Sequence, residues 1–322
     1  MQVYRHLENL PAFQNAVVTI GTFDGVHLGH LQILQQMKAA AAACNGDTVI
    51  ITFDPHPREI LDSGAHMPLL LNTLPEKIQL LQTQGIGHLV IVPFTLEFSR
   101  LSPQEFIRDF LVRYFHPFTV IIGYDHRFGH HRKGNINLLL QSGPLYGFNV
   151  VEIPRQVIHH IAVSSTRIRQ YLLEAKLDLA AELLGYPYFF SGQVIRGKQI
   201  GRTLGYPTAN LEPENPAKLI PADGVYLSRI LILPDKDQEE NATGLLSIGN
   251  RPTFSGMSRQ IEVFLFDWDK DIYGREIRII LLDFLRSQIR FDSAEALKKQ
   301  MNKDKEKALQ LILERKDYRF QQ

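Results

Sequence analysis

The sequence predicts a two-domain fold, with an α/β domain built on a parallel sheet followed by an all-β domain that ends in a helix. A chain of 322 residues is long enough for two domains. In the first half, short apolar runs alternate with amphipathic stretches of helical spacing, which is typical of βαβ units. After about Gly185 the segments become short, β-rich and separated by turns. We place the boundary between residues 183 and 184, which gives domains 1–183 and 184–322.

Each element of the first domain has its own signal. The apolar runs predict strands, and the amphipathic stretches predict helices, of which two begin with Ser caps and two with Pro in the first turn. The predicted strands are 17–20, 48–53, 88–94, 118–123 and 149–154, and the predicted helices are 30–44, 75–84, 102–115 and 164–176. Parallel sheets of this kind bind ligands beyond the carboxyl ends of their strands.

The second half predicts a small closed barrel. Strand-like segments follow one another with turns such as PADG and PDKD between them and no helices. A charged helix is predicted over 293–315, with Asp292 or Ser293 as its cap.

Composition excludes some classes of function. Lys plus Arg is 35 and Asp plus Glu is 34, so the net charge is +1 and predicts neither a nucleic acid nor a membrane partner. The single cysteine, Cys44, cannot form an internal disulfide or a cysteine zinc cluster. We see no signal segment and no apolar run of the roughly 18–20 residues that a membrane helix needs. We therefore expect a cytoplasmic protein, for which weak self-association is compatible with the sequence.

The first chemical motif is GTFDGVHLGH at 21–30, between a predicted strand and the first helix. Its glycines allow close approach of a ligand, and the helix N-terminus favours phosphate. His27 and His30 lie on one face of the first turn and could stabilise phosphate charge. Alternatives are a capped turn with two surface histidines, or a metal site that lacks further ligands.

HLGH resembles the HxGH signature of nucleotidylyltransferases, in which a substrate phosphate attacks the α-phosphorus of ATP. With FDPHP (53–57), GYDHRFGHHRKG (123–134) and VSSTRIR (163–169), the first 180 residues resemble the FAD synthetase domain of bacterial bifunctional riboflavin kinase/FAD synthetases. The last of these segments would, taken alone, be read as an ordinary helix cap. The resemblance implies a Rossmann-like sheet that carries out adenylyl transfer to FMN.

The same resemblance implies roles for individual residues. His27 and His30 contact ATP phosphates and are assigned as catalytic. The other implied ATP-binding residues are Gly21, Phe23, Asp24, Asp125, Arg127, Ser164, Thr166 and Arg169. The implied flavin-binding residues are Phe53, His56 and Phe128. Two positions depart from the family pattern, with His126 where Phe is usual and Asn135 where Asp is common.

The second motif is GKQIGRTLGYPTANLEP at 197–213, which combines three glycines with nearby cations. Thr208 and Asn210 alternate with Ala209, so both point to one face and could contact Mg²⁺ that carries ATP. Glu262 lies in an apolar strand, and we interpret it as a carboxylate facing the barrel interior that acts as a general base. The alternatives are a plain hairpin with solvent-facing Thr and Asn, and an outward-facing Glu on an edge strand.

GRTLGYPTAN, with PADGVY, GNRPTF, IEVFLFDW and LRSQIRFDS, resembles the riboflavin kinase domain over nearly all of 186–310. The resemblance implies a six-stranded Greek-key barrel, with Glu262 as the catalytic base and Thr208 and Asn210 as Mg²⁺ and ATP contacts. Lys198 and Gly201 would bind ATP, and Arg290 and Phe291 would bind flavin. Phe264 stands where the family commonly has His, which we interpret as a packing change.

The two resemblances together imply ATP-dependent conversion of riboflavin to FMN and then of FMN to FAD. Magnesium would accompany ATP, and the flavins would be substrates and products. One rival is an HxGH enzyme for another acceptor, including a protein similar to aminoacyl-tRNA synthetases. Near-neutral charge and the kinase-like second half argue against it. The other rival is a non-catalytic flavin- or nucleotide-binding regulator, although such a protein would have no reason to keep costly polar groups.

Overall fold

The computed structural model describes residues 1–61, 69–158, 160–196, 207–233, 240–253 and 256–314, without the side chains of 250–258. Contacts divide the chain into two compact units, Met1–Ser165 and Thr166–Gln322. Among the residues described, none of the helices combines the length and apolarity that crossing a membrane requires.

The first unit is built on a six-stranded parallel sheet. Its strands are β1 (Gln2–Tyr4), β2 (Val17–Ile20), β3 (Thr48–Asp54), β4 (His88–Pro93), β5 (Thr119–Gly123) and β6 (Asn149–Ile153). Their order across the sheet is β1-β4-β3-β2-β5-β6. The chain therefore changes direction across the sheet between β2 and β5, and such a switch point opens a crevice at the carboxyl ends of the strands.

Helices cover both faces of this sheet. They are α1 (Leu28–Cys44), α2 (Pro57–Leu61), α3 (Leu74–Gln82), α4 (Leu96–Ser99), α5 (Pro103–Glu105), α6 (Arg113–Phe115) and α7 (Ile136–Tyr146). A π-helix over Phe106–Val112 connects α5 to α6 without a break. One apolar cluster joins the sheet to the π-helix through residues such as Phe106 and Phe110. A second cluster joins the opposite face to α1 and α3 through Leu34, Met37 and Leu81. Capping boxes at Thr73 and Ser102 fix the starts of α3 and α5.

The second unit begins with two helices, α8 (Ser165–Leu173), whose first residue belongs to the first unit, and α9 (Leu177–Leu184). They group with the barrel because their apolar faces are buried and Ala222 N–H donates to Leu172 O. The predicted boundary at 183/184 coincides with the end of α9, whereas contacts divide the chain after Ser165.

The rest of the second unit is a closed antiparallel barrel. Its strands are β9 (Phe189–Ile195), β10 (Ala209–Pro213), β11 (Gly224–Ile232), β12 (Glu240–Thr253), β13 (Gly256–Leu265) and β14 (Glu276–Arg286). The order β10-β13-β12-β11-β14-β9 places β10 beside β13 and β14 beside β11, which is Greek-key connectivity and confirms the predicted fold class. Helix α10 (Ala294–Glu314) packs on the barrel, and Ser293 caps it by accepting from Ala296 N–H.

Candidate active sites

The loop that follows β2 has an unusual backbone. Phe23 and Val26 have φ angles of 47° and 36°, and Gly25 has a φ of 89°. Non-glycine residues rarely adopt positive φ, and such strain collects at ligand sites. Phe23 is only 1% exposed, so core packing holds this backbone in place. The predicted site residue Gly21 lies beside the same ring, since a Cβ added there would come within 3.3 Å of it.

His27 and His30 lie together at the start of α1. Their rings stack with centroids 3.7 Å apart and planes 9° from parallel. The His30 backbone N–H donates to His27 Nδ1 at 3.4 Å, so the His27 side chain caps α1. Burial lowers the pKa of His30 well below its ordinary value, and the charges of His27 and Lys77 lower it further. A neutral His30 at a helix N-terminus is suited to hydrogen bonding with phosphate.

Asp24 organises the loops around these histidines. Its Oδ1 accepts from the backbone N–H groups of Leu71 (2.8 Å) and Asn72 (3.3 Å). Its carbonyl oxygen accepts from Ser165 Oγ at 2.8 Å. The Asp24 carboxylate, which is 2% exposed, therefore shapes the site by fixing neighbouring segments.

The structure adds one residue that our sequence analysis missed, Lys77 on α3. It is 6% exposed and lies on the buried helix face, four residues before Leu81. Its charge acts on His30, and Asp24, Asp54 and the Glu59 carboxylate act on it. A lysine at an apolar position of the helical repeat was the signal that could have revealed it.

The loop after β5 holds the second set of predicted residues. Asp125 and Arg127 are exposed, whereas Phe128 is 5% exposed and packs on Phe106 with ring centroids 5.0 Å apart. The His126 ring stacks on Phe128, and burial lowers its pKa to about 4. Phe128 thus lies mostly within the core, and its role toward flavin stays a prediction.

Of the two predicted residues at or just after the end of β3, one lies in the core and the other is partly exposed. Phe53 is 9% exposed and packs against Phe94 and Phe98 in the core. His56 is half-buried, and its N–H donates to the carboxylate of Glu59 at 3.0 Å.

The remaining predicted residues of this site lie at the start of α8. Ser164 belongs to the first unit, whereas Thr166 and Arg169 belong to the second. The departure at Asn135 has a structural role, because its Oδ1 caps α7 by accepting from Leu138 N–H at 3.2 Å.

The barrel brings together the predicted residues of the second site. Asn210 on β10 lies directly opposite Glu262 on β13, and Ser247 on β12 lies opposite Glu262 on its other side. Directly opposed residues of antiparallel strands have Cβ atoms about 5 Å apart on the same face of the sheet. Asn210, Glu262 and Ser247 therefore form a polar row across three strands. Thr208 precedes β10 and shares the face of Asn210.

Our interpretation that Glu262 faces the barrel interior is wrong. Its neighbours Ile261 and Val263 are 6% and 0% exposed and fill the interior, whereas Glu262 is half-buried. Glu262 alternates onto the face of Phe264, which packs in a cluster that includes Ala308 of α10. The carboxylate therefore lies on the outer face of the barrel, where solvent reduces the cost of its charge. Phe264 is a buried packing residue, as we interpreted it.

Gln288 extends the polar row and was also missed. Its Nε2 donates to Ser247 Oγ at 3.0 Å and to the Ile248 carbonyl at 2.8 Å. The segment after β14 is thereby held against β12, which pairs with the strand that carries Glu262. In that segment Arg290 is exposed, and Phe291 is half-buried. The predicted residues Lys198 and Gly201 lie outside the described residues.

Comparison with known proteins assigns a different family to each half of the chain. A family model described as FAD synthetase matches residues 10–167, and one described as riboflavin kinase matches residues 184–312. A bifunctional riboflavin kinase/FMN adenylyltransferase of Escherichia coli K12 is 36% identical, covering 94% of this chain and 96% of the relative. One from Buchnera aphidicola of Schizaphis graminum is 39% identical with the same coverage.

A solved structure is similar over nearly the full length. It is described as a macrolide-efflux protein from Streptococcus pneumoniae, with a TM-score of 0.83, 30% identity, and coverage of 95% of this chain and 97% of that one. Identity above 30% to the curated relatives over nearly the whole length, with one family model on each half, shows the family. The chain is a member of the bifunctional riboflavin kinase/FMN adenylyltransferases.

Proposed function

We propose that this protein makes FAD from riboflavin in two ATP-dependent steps, one at each of the two sites. Riboflavin and ATP give FMN and ADP in the second unit, and FMN and ATP give FAD and pyrophosphate in the first. The observation that carries the proposal is that each family match has its own cluster of polar groups, around His27 and His30 in one unit and around Glu262 in the other.

In the first site, the phosphate of FMN attacks the α-phosphorus of ATP, and the bond to the pyrophosphate leaving group breaks. His27 and His30 donate hydrogen bonds to phosphate oxygens at the N-terminus of α1, where the helix dipole adds partial positive charge. Gly21, Phe23 and Asp24 shape the nucleotide pocket. No protein nucleophile takes part in this reaction.

In the second site, Glu262 takes the proton from the terminal hydroxyl of riboflavin as that oxygen attacks the γ-phosphorus of ATP. ADP then leaves. The Glu262 carboxylate is half-buried on the outer face of the barrel, where a substrate hydroxyl can reach it.

Thr208 and Asn210 would hold the Mg²⁺ that accompanies ATP in this site. A hydroxyl and an amide oxygen on one face, with a carboxylate opposite Asn210, are donors suited to this cation. Bound there, Mg²⁺ would neutralise charge on the phosphates. Since both reactions consume ATP, we place the protein in the cytoplasm, and weak self-association is compatible with its sequence.

The decisive experiment is Glu262→Gln, assayed separately with riboflavin and with FMN as the flavin supplied. We expect FMN formation to fall by about a hundredfold or more, because a positioned general base contributes about 10²–10⁴ in rate. FAD formation from supplied FMN should be unchanged. Glu276→Gln is the matched control, since Glu276 is an exposed carboxylate at the start of β14, a barrel strand that does not pair with β13.

Three outcomes would contradict the proposal. Equal loss of both activities in Glu262→Gln would show that the reactions are not divided between separate sites. Full riboflavin kinase activity in this variant would remove Glu262 as the base. Wild-type protein that converts neither riboflavin nor FMN would overturn the function as a whole.

A further inference from the structure

Lys77 is a buried cation whose position is fixed on several sides. It lies one turn into α3, whose start is held by the capping box in which Glu76 N–H donates to Thr73 Oγ1 and Thr73 N–H to Glu76 Oε2. The segment before α3 is tied to the loop after β2, because Asp24 accepts from Leu71 N–H. The start of α3, which carries Lys77, is therefore tied to the loop that leads to the histidine pair.

The groups that face Lys77 come from three other segments. Asp24, Asp54 and Glu59 favour its charged form, whereas burial disfavours that form and lowers the pKa of Lys77 on balance. Within the described residues, its ammonium makes no hydrogen bond or ion pair. With the residue only 6% exposed, an ammonium that lacks such partners keeps little room for water around its N–H donors, which is costly.

On the side of the histidine pair, a second polar group lacks a partner. His30 Nδ1 is buried and makes no hydrogen bond with any described residue. The effect of Lys77 on the pKa of His30 shows that the two groups lie within electrostatic reach of one another. Both lie near the N-terminus of α1, a helix of 17 residues whose free N–H groups also attract anions.

We propose that Lys77 is a phosphate-binding residue of the N-terminal site, with its Nζ donating to a phosphate oxygen beside His30. This inference rests on the proposed adenylyl transfer. An anionic oxygen would satisfy the ammonium with a charge-assisted hydrogen bond, which neutral groups of the site cannot supply. Both ATP and FMN carry such oxygens, and kinetics can separate the two sources.

The test uses the full-length protein with Lys77→Met, which keeps the length and apolar stem of the side chain, and Lys77→Arg, which keeps the charge. FAD formation from FMN is measured over a matrix of ATP and FMN concentrations, and the reverse reaction is measured against pyrophosphate. Lys38→Met is the matched control, because Lys38 is an exposed lysine whose Nζ donates to the Gln84 carbonyl. Riboflavin kinase activity and the melting curve report folding.

We expect Lys77→Met to raise KM for the phosphate substrate that it contacts by at least about tenfold, as loss of a charge-assisted hydrogen bond predicts. A rise for ATP and pyrophosphate together assigns the contact to the departing phosphates of ATP, and a rise for FMN alone assigns it to the flavin phosphate. Lys77→Arg should retain part of the affinity, whereas riboflavin kinase activity and Lys38→Met should match wild type.

Unchanged KM values in a folded Lys77→Met variant would overturn the inference while leaving the proposed function intact. A shift confined to the acid limb of the pH profile would also overturn it, since Lys77 would then act only through the protonation of His30. If Lys77→Met does not fold, Lys77→Gln decides, because a folded variant that has lost the positive charge and keeps wild-type KM values for ATP, FMN and pyrophosphate would exclude the contact.

Discussion

His126 should make the first unit sensitive to acid. Burial lowers its pKa from the ordinary value of 6.5 to about 4, with the nearby Arg132 lowering it and Asp125 opposing the shift. Because the folded-state pKa lies below the unfolded value, the unfolded chain binds the proton first as pH falls. The stability that His126 contributes is therefore present above pH 6.5 and is lost as pH falls through about 4.

The expected magnitude follows from these two pKa values. Their difference corresponds to about 3 kcal/mol over the whole pH range, of which about 2 kcal/mol is lost between pH 7 and pH 5. His126→Phe removes the titration and keeps an aromatic ring, which can still stack on Phe128 as His126 does with ring centroids 5.9 Å apart.

The assay is urea-induced unfolding at pH 7 and pH 5, with hydrogen exchange of peptides from β5 to assign the change to the first unit. Wild type should lose about 2 kcal/mol more free energy of unfolding than His126→Phe between the two pH values. Other titrating groups, including His30, are common to both proteins and cancel in the comparison. His6→Phe, which changes an exposed histidine, should behave as wild type. Identical pH dependence in wild type and His126→Phe would refute the reasoning, since His126 would then titrate alike in the folded and unfolded chains.

Two further predictions concern the second unit, whose unfolding can be followed by the fluorescence of Trp268, the only tryptophan in the sequence. Asp304→Leu should destabilise the second unit by about 3–5 kcal/mol, because the bidentate pair with Arg286 is nearly buried and the guanidinium would lose its carboxylate partner. The double variant Asp304→Leu/Arg286→Met should recover most of this loss. Equal stability of the single and double variants would contradict the prediction. Gly244→Ala should lower the free energy of unfolding of the second unit by at least about 2 kcal/mol, because the added Cβ would overlap the Phe264 carbonyl oxygen of the paired strand. A variant with the melting curve of the wild type would show that β12 can shift to make room.

Most of the first sheet could be predicted from sequence because its central strands are continuous apolar runs that are buried on both faces. β2 shows the reason, since all four of its residues are buried. β1 (Gln2–Tyr4) was not predicted, because it is a three-residue edge strand with two exposed side chains. α7 was not predicted either, because Gly143 and Pro144 interrupt its helical pattern and Asn135 caps it from outside the apolar repeat.

The sites were predictable to a lesser extent, for a geometric reason. A sequence motif gives only the order of residues along the chain. The contact between His27 and His30 could still be predicted, because residues three apart lie on the same face of a helix. The face of the barrel on which Glu262 lies depends on the strand register, because a shift of one residue moves a side chain from the interior face to the exterior face. The position of Lys77 relative to His30 depends on how α3 packs against α1, and the spacing of residues along the sequence carries no information about that packing.

The described parts of the two sites offer phosphate different chemistry. Around His27 and His30 the groups are nitrogen donors, with the buried ammonium of Lys77 close by. The polar row of the barrel, by contrast, presents oxygens from Asn210, Glu262 and Ser247. The Glu262 carboxylate repels a triphosphate unless a cation lies between them, whereas nitrogen donors can bind it directly. A chain of net charge +1 has no general attraction for ATP, so each half must supply its own positive charge locally. Among the described residues, the first site offers protein nitrogen for this purpose, and in the proposed second site a Mg²⁺ held by Thr208 and Asn210 would add to it.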